Sequence, residues 1–228
     1  MRAGLGGTLT FEQNLQASVT GLTLKDEALQ LLISRSTEDA TRAGETMRAA
    51  LGGSLTFEQN LQASVAVLTL GTRDILDENG IPTGQKEDLF KLFLSHSGDA
   101  VKASNGIRQT LGGNLSFQEN LQATLGIMTL SDDSFQAALI NISKDGFAEK
   151  SQNILGVVTA LDATAKENRV GTALAILSMG SEMFDMAAVN AARPDAAQRL
   201  GWKLEEINAS EPVDAAKKTG VLLSLLAV

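Results

Sequence analysis

His96 is the chain's only histidine and there is no cysteine, so chemistry that needs an imidazole or a thiolate has one candidate or none. A Ser-His-Asp triad would have to be built around it. Ser95 and Ser97 flank it, but adjacent residues on a helix point to different faces. His96 also aligns with Arg35 in an earlier segment, so a structural role at a surface or half-buried position is expected. Metal sites made of several His or of Cys are excluded by count, and so are disulfides. Among the carboxylates, Asp74, Asp77, Glu78, Asn79 and Gly80 look faintly like a calcium loop. Counted from Asp74, however, Asn79 takes the place of the obligatory sixth-position Gly and Gln85 that of the twelfth-position Glu, so the frame fails and a solvated turn is expected. Asp132 and Asp133 read as acids at a helix start, where the macrodipole favours them. The segments LGGTLT, LGGSLT and LGGNLS lack the Lys-Ser/Thr ending of a phosphate-binding loop and the spaced glycines of a dinucleotide fingerprint, so they read as turns. No catalytic constellation stands out, and neither cofactor nor metal is expected.

The elements that must carry these residues come from an internal repeat. Leu5 to Leu24 (LGGTLTFEQNLQASVTGLTL) and Leu51 to Leu70 differ only at Thr8/Ser54, Thr20/Ala66 and Gly21/Val67, and Leu111 to Leu130 (LGGNLSFQENLQATLGIMTL) is a third copy. Self-similarity at this spacing marks one supersecondary unit used repeatedly. The copies of Asn14, Asn60 and Asn120 lie 46 and 60 residues apart, and the difference is an insert, GTRDILDENGIPTGQ, at 71–85. Its Asn79-Gly80 suits a tight hairpin turn. A weathered fourth copy follows, with Val170 to Met179 aligned on Leu121 to Leu130. After a break at Arg193-Pro194, residues 195–207 carry Ala197, Leu200, Leu204 and Ile207 at helical spacing and read as a terminal helix. The resulting division is 1–50, 51–110, 111–156, a degenerate 157–192 and a capping segment at 193–228.

Inside the repeat, Phe57, Leu61, Val65 and Leu68 make a helical stripe that Phe11, Leu15, Val19 and Leu22 and then Phe117, Leu121, Leu125 and Met128 reproduce. Thr10, Thr56 and Ser116 precede each Phe and have Gln13, Gln59 or Glu119 three residues on, the spacing of a capping box. The Gly pair before each is what a helix end requires, because Gly enters the left-handed region easily. The spacing therefore predicts a mainly α fold of tandem helical hairpins, stacked as a solenoid or bundle, with a short hairpin or loop insert. The alternative is α+β, since Leu61, Ala63, Val65 and Val67 also alternate and the LTL ending has strand character.

With 43% hydrophobic residues, three Pro and no Tyr, the chain belongs to the ordinary globular class and leans helical. Its formal charge of −8 would repel phosphate backbones and anionic lipid, so nucleic acid is not expected as a partner. No export signal precedes the first repeat, and the apolar tail from Gly220 to Val228 is too short to span a bilayer. A cytoplasmic location is expected, or a virion as the alternative.

The string AALGGSLTFEQNLQASVAVLTL followed by GTRDILDENGIPTG resembles a short motif of bacteriophage tail or fibre virion proteins. Leu51, Leu55, Thr56, Phe57, Asn60, Leu68, Thr69 and Leu70 carry it, with Gly80, Pro82, Thr83 and Gly84. It covers about 35 of 228 residues. The resemblance implies an assembly or attachment component without catalysis, and strands at the motif.

The candidate interaction residues are the recurring amides Asn14, Asn60 and Asn120 with Gln16, Gln62 and Gln122, and the tail residues Leu222, Leu223, Leu225 and Leu226. The amides are expected to ladder or cap between stacked units, or to form a binding stripe. The tail is expected to dock on the chain or to make a subunit contact. The function expected is non-enzymatic: a structural or interaction protein that self-assembles or scaffolds, with protein and in first place its own copies as partner. Alternatives are a virion component, and a hydrolase using Asp99, Asp145 and Asp185.

Overall fold

In the computed structural model, the structure describes residues 1–77, 81–210, 213–214 and 217–228, with Ser210 as backbone only. The protein is mainly α, with one two-stranded antiparallel hairpin. It forms two compact units, Met1–Val101 and Lys102–Val228.

Each copy of the motif folds into three helices, one more than a hairpin. Helix A ends at the Gly pair, helix B carries the apolar stripe, and helix C follows the LTL ending. In chain order, A, B and C are α1 (Arg2–Leu5), α2 (Phe11–Leu22) and α3 (Asp26–Ser34), then α4 (Thr37–Leu51), α5 (Phe57–Leu68) and α6 (Leu89–Ser95). The third set is α7 (Ala100–Thr110), α8 (Phe117–Met128) and α9 (Asp132–Ile142). In the fourth, A is α10 (Phe147–Leu161) with a short α11 (Ala163–Glu167), B is α12 (Arg169–Leu177) and C is α13 (Ser181–Ala191). The expected terminal helix is α14 (Ala196–Ser210), and the apolar tail is α15 (Lys218–Leu226). These last two are a fifth A and B, because KTGVLLSLLAV from Lys218 aligns with RVGTALAILSM from Arg169.

Local chemistry sets the boundaries. Thr10, Thr56 and Ser116 each accept from the backbone N–H three residues on, while Gln13, Gln59 and Glu119 reach back, so all three capping boxes form. The two hydrogen bonds from Ser116 hold the Glu119 carboxyl below its usual range. Both glycines of each pair take positive φ, for instance 67° at Gly52 and 78° at Gly53, a conformation that side-chain-bearing residues rarely adopt. The LTL ending is not a strand. Thr69 and Thr129 cap α5 and α8, each hydroxyl donating to a carbonyl one turn back at 2.8 Å.

The insert forms β1 (Thr72–Leu76) and β2 (Pro82–Asp88), paired Thr72↔Asp88, Arg73↔Glu87 and Asp74↔Lys86. It is therefore slightly longer than 71–85. The expected turn at Asn79-Gly80 and the Glu78 carboxylate lie outside the described residues. Asp77 accepts from the Ile81 N–H at 2.9 Å, a turn-closing role. At the other end, Asp88 caps α6 by accepting from Phe90 and Lys91.

In the amino-terminal unit, α5 packs on its own helix A, α4, and on α1, α2 and α3 of the preceding set. Leu5, Ala17 and Leu61 form the centre of one apolar cluster, with Phe57 and Val65 packed on it. In the carboxy-terminal unit, α12 packs likewise on α10, α8 and α9, and α15 on α14, α10, α12 and α13. One arrangement recurs: helix B lies on its own helix A and on the set before it.

Close approach of helices A demands small residues. A Cβ on Gly44 would stand 1.8 Å from the Gly4 carbonyl oxygen, a clash with backbone that cannot swing aside. Gly156, by contrast, is exposed within α10 and a Cβ there meets nothing within 4 Å. Gly44→Ala is expected to destabilise the protein by about 2 kcal/mol, lowering the melting temperature by roughly 4–8 °C. Gly156→Ala is expected to raise stability by about 0.5–1 kcal/mol. Differential scanning calorimetry on the two variants checks the contrast.

Candidate interaction surface

The last carbonyls of a helix have no partner within it and must find donors elsewhere. Here the donors come from the neighbouring set. At the end of α1, the Leu5 carbonyl accepts from Asn60 at 3.0 Å and from Arg48 at 2.9 Å, and the Gly4 carbonyl accepts from Arg48 at 2.6 Å and from Ser64 at 3.3 Å. Arg169, the residue that aligns with Asn60 in the fourth set, donates to the Leu111 carbonyl at the end of helix A of the third set, at 3.2 Å. Asn60 is thus a helix-end cap between sets and not a rung of an amide ladder. Asn120 is half-buried and accepts from Arg108 at 3.0 Å. Gln16, Gln62 and Gln122 are all exposed.

A second cap runs the other way along the chain. Arg35, one residue past α3, donates to the Leu68 carbonyl at 3.4 Å and to that of Leu70 at 2.5 Å, where α5 ends. Its guanidinium lies 4.0 Å from the centre of the Phe90 ring, and burial lowers its pKa while Asp88 and Asp39 oppose the shift. Asn141, near the end of α9, donates to Leu177 and Met179 at 2.9 and 2.8 Å, where α12 ends. Asn190, near the end of α13, donates to Leu226 at 2.8 Å, where α15 ends. Arg35, Asn141 and Asn190 occupy one aligned position.

His96 occupies that same position in the second set, and it is buried, not at the surface or half-exposed as expected. The reason is positional: the residue that closes helix C lies against the core. Its neighbours are committed elsewhere, Ser95 donating to the Leu92 carbonyl at 2.8 Å and Ser97 accepting from Arg42 at 2.7 Å. Asp185, one of the acids considered for catalysis, pairs with Lys144 at 2.8 Å and with Lys150 at 3.9 Å. Among the described residues, no three His, Asp or Glu side chains gather as a metal site would require. No described helix is long and apolar enough to cross a membrane.

The tail docks on its own chain. Leu222, Leu223 and Leu226 are buried and Leu225 is half-buried.

The odd element is α2. Leu61 and Leu121 are 6% and 5% exposed, but Leu15 at the same place in the first copy is 54% exposed. Leu22 is 76% exposed where Leu68 is fully buried, and Phe11 reaches 82%. Val19 on the same stripe and Ile33 on α3 are exposed as well. Asn14, the equivalent of Asn60, turns back to the Leu9 and Thr10 carbonyls at 3.1 and 2.9 Å. By their helical spacing Phe11, Leu15, Val19 and Leu22 share one face of α2.

No protein-family model, curated protein or solved structure matches the chain. Among the aligned caps, Asn141 is fully buried and holds two carbonyls at once. Asn141→Ala leaves both without a donor and is expected to lower stability by about 2 kcal/mol in urea melts. Asn141→Asp sets a buried carboxylate against two carbonyl oxygens, which raises its folded pKa above the unfolded value near 4. Stability of that variant is then greatest below about pH 4 and falls as pH rises through the raised value. A variant that instead gains stability between pH 4 and 7 contradicts the cap.

Proposed function

We propose that this chain is a non-enzymatic structural and interaction protein, a solenoid-type array of helical modules within each compact unit, that assembles with further copies of itself as a scaffold. The observation that carries this reading is the exposed face of α2. Its stripe residues Phe11, Leu15, Val19 and Leu22 are those of α5, where Leu61 and Leu68 are buried and Phe57 and Val65 half-buried in the packing on the preceding set. An array of this kind propagates by nearest-neighbour contact, and any module lacking a neighbour presents the same adhesive surface. The polar residues singled out by the repeats support the reading as well. Asn60, Arg35, Asn141 and Asn190 spend their donors on neighbouring helix ends.

A virion tail or fibre component, which the local resemblance suggests, would also be an assembling protein. The hairpin that begins β2 with Pro82, Thr83 and Gly84 favours it, whereas the helical course of α5 through the rest of the motif does not.

Light scattering over a concentration series is expected to give masses above the 24.0 kDa of one chain. Leu15→Glu removes one large apolar side chain from the face and adds a charge. It is expected to weaken association by about a hundredfold while leaving the fold intact, since burial of one Leu is worth about 1.5–3 kcal/mol. The same change at Leu61, which is buried, should unfold the protein instead. A monomer at every concentration counts against self-assembly.

A further inference from the structure

Resting on the self-assembly reading, we infer that the α2 face of one copy seats in the groove between α14 and α15 of a second copy, a head-to-tail contact in which unlike surfaces meet. The template is inside the chain. Phe57, Leu61 and Val65 of α5 pack over Ala17 of α2 and Leu5 at the end of α1, so the helix B stripe of one module covers helices A and B of the module before it.

The surface such a stripe covers can be followed along the chain. Ala17, Ala123 and Thr172 are aligned, and all three are buried, at 4%, 0% and 3% exposure. The next aligned residue is Val221 on α15, and it is half-exposed. Around it, Ile207, Lys217, Gly220, Ser224 and Leu225 line an open groove between α14 and α15, mainly apolar apart from the Lys217 ammonium. This groove is a helix A and helix B pair over which, among the described residues, no stripe is laid. The α2 face is a stripe with no helix A and B pair beneath it. Each is what the other lacks, and the contact between them continues the interface already formed by α5, α12 and α15.

The polar part of the interface fits the same direction. Asn60 and Arg169 each reach back to the end of the preceding helix A. In the docked pair, Asn14 would leave its own Leu9 and Thr10 carbonyls and turn to the last turn of α14 in the other copy. A contact between unlike surfaces leaves one of each kind free after every addition. Growth is therefore open-ended unless the rotation closes a ring. A contact of α2 with α2 would instead stop at a dimer.

Complementation separates the two. Leu15→Glu blocks the α2 face and leaves the groove intact, while Val221→Glu blocks the groove and leaves α2 intact. Ser224→Glu, at an exposed groove position, serves as a second groove variant that leaves packing undisturbed. Far-ultraviolet dichroism and thermal melts verify folding, and light scattering reads mass. The expected result is that each variant alone is monomeric and that an equimolar mixture gives a species of twice the chain mass and no larger. Two outcomes overturn the head-to-tail contact while self-assembly stands. In one, the groove variants associate like the unmodified chain, or as a dimer, and only Leu15→Glu does not. In the other, the mixture of two folded monomeric variants stays monomeric although the unmodified chain associates. An unmodified chain that is itself monomeric overturns the self-assembly reading, and this inference falls with it.

Discussion

The arrangement depends on carbonyl oxygens that a helix cannot satisfy by itself. Each helix leaves its last carbonyls without intrahelical donors, and a buried carbonyl without a partner costs about 1–3 kcal/mol. In this protein the ends of helices A and B face neighbouring modules, so the donors must come from there. Asn60 and Arg169 serve helix A of the set before them; Arg35, Asn141 and Asn190 serve helix B of the set after them. The bonds run both ways across a junction, which ties backbone to backbone through side chains. That the donor is Asn in one set and Arg in another follows from what the position requires. Any N–H donor that reaches the carbonyl will serve, so residue type drifts while the bond is kept.

Apolar packing alone would leave the junctions free to slide. The stripe of helix B is apolar along its length, and apolar surfaces accept several registers at similar energy. The caps remove that freedom, because a donor one turn out of place finds carbonyls already bonded within the helix. The Gly44 contact acts in the same sense, since the backbone of α1 fits only where a side chain is missing. Burial supplies most of the driving force and the polar contacts select the register.

Much of this was legible in the residues. The stripe at Phe57, Leu61, Val65 and Leu68, the capping boxes and the Gly pairs each predict helix by a separate physical route, and their agreement identified helix B and its boundaries. Helix C was harder, because its matching segments in the first two sets share little beyond Leu31/Leu92 and Ser34/Ser95, so each module read as a hairpin. The cap position was hidden for a related reason. Arg35, His96, Asn141 and Asn190 share no charge class and no size, and only alignment without gaps from Leu24, Leu130 and Met179 brings the first, third and fourth into register. The tail does not announce itself as a helix B, because its eleven residues match Arg169–Met179 at only Gly220, Leu223 and Leu226. The exposed α2 face could not be read at all. Its sequence is that of a buried helix, and only the coordinates show which copy lacks a cover.

That identity bears on why the face exists. The first two modules share one origin, so their helices B and C have had the same time to diverge. Helix C changed from DEALQLLIS to EDLFKLFLS, with Leu29, Leu32 and Ile33 becoming Phe90, Phe93 and Leu94, yet Phe11, Leu15, Val19 and Leu22 are unchanged in α5. In α5 these residues hold the core together, which accounts for their retention there. In α2 they are 51–82% exposed and bury far less against the rest of the chain, and exposed aliphatic and aromatic side chains carry the liability of non-specific association. Folding of the single chain therefore supplies no reason for α2 to keep them while helix C drifts. The proposed self-assembly, in which that face would be covered, would supply one. Under that proposal the physical requirement on α2 is the same as that on α5, and the retained stripe follows from it.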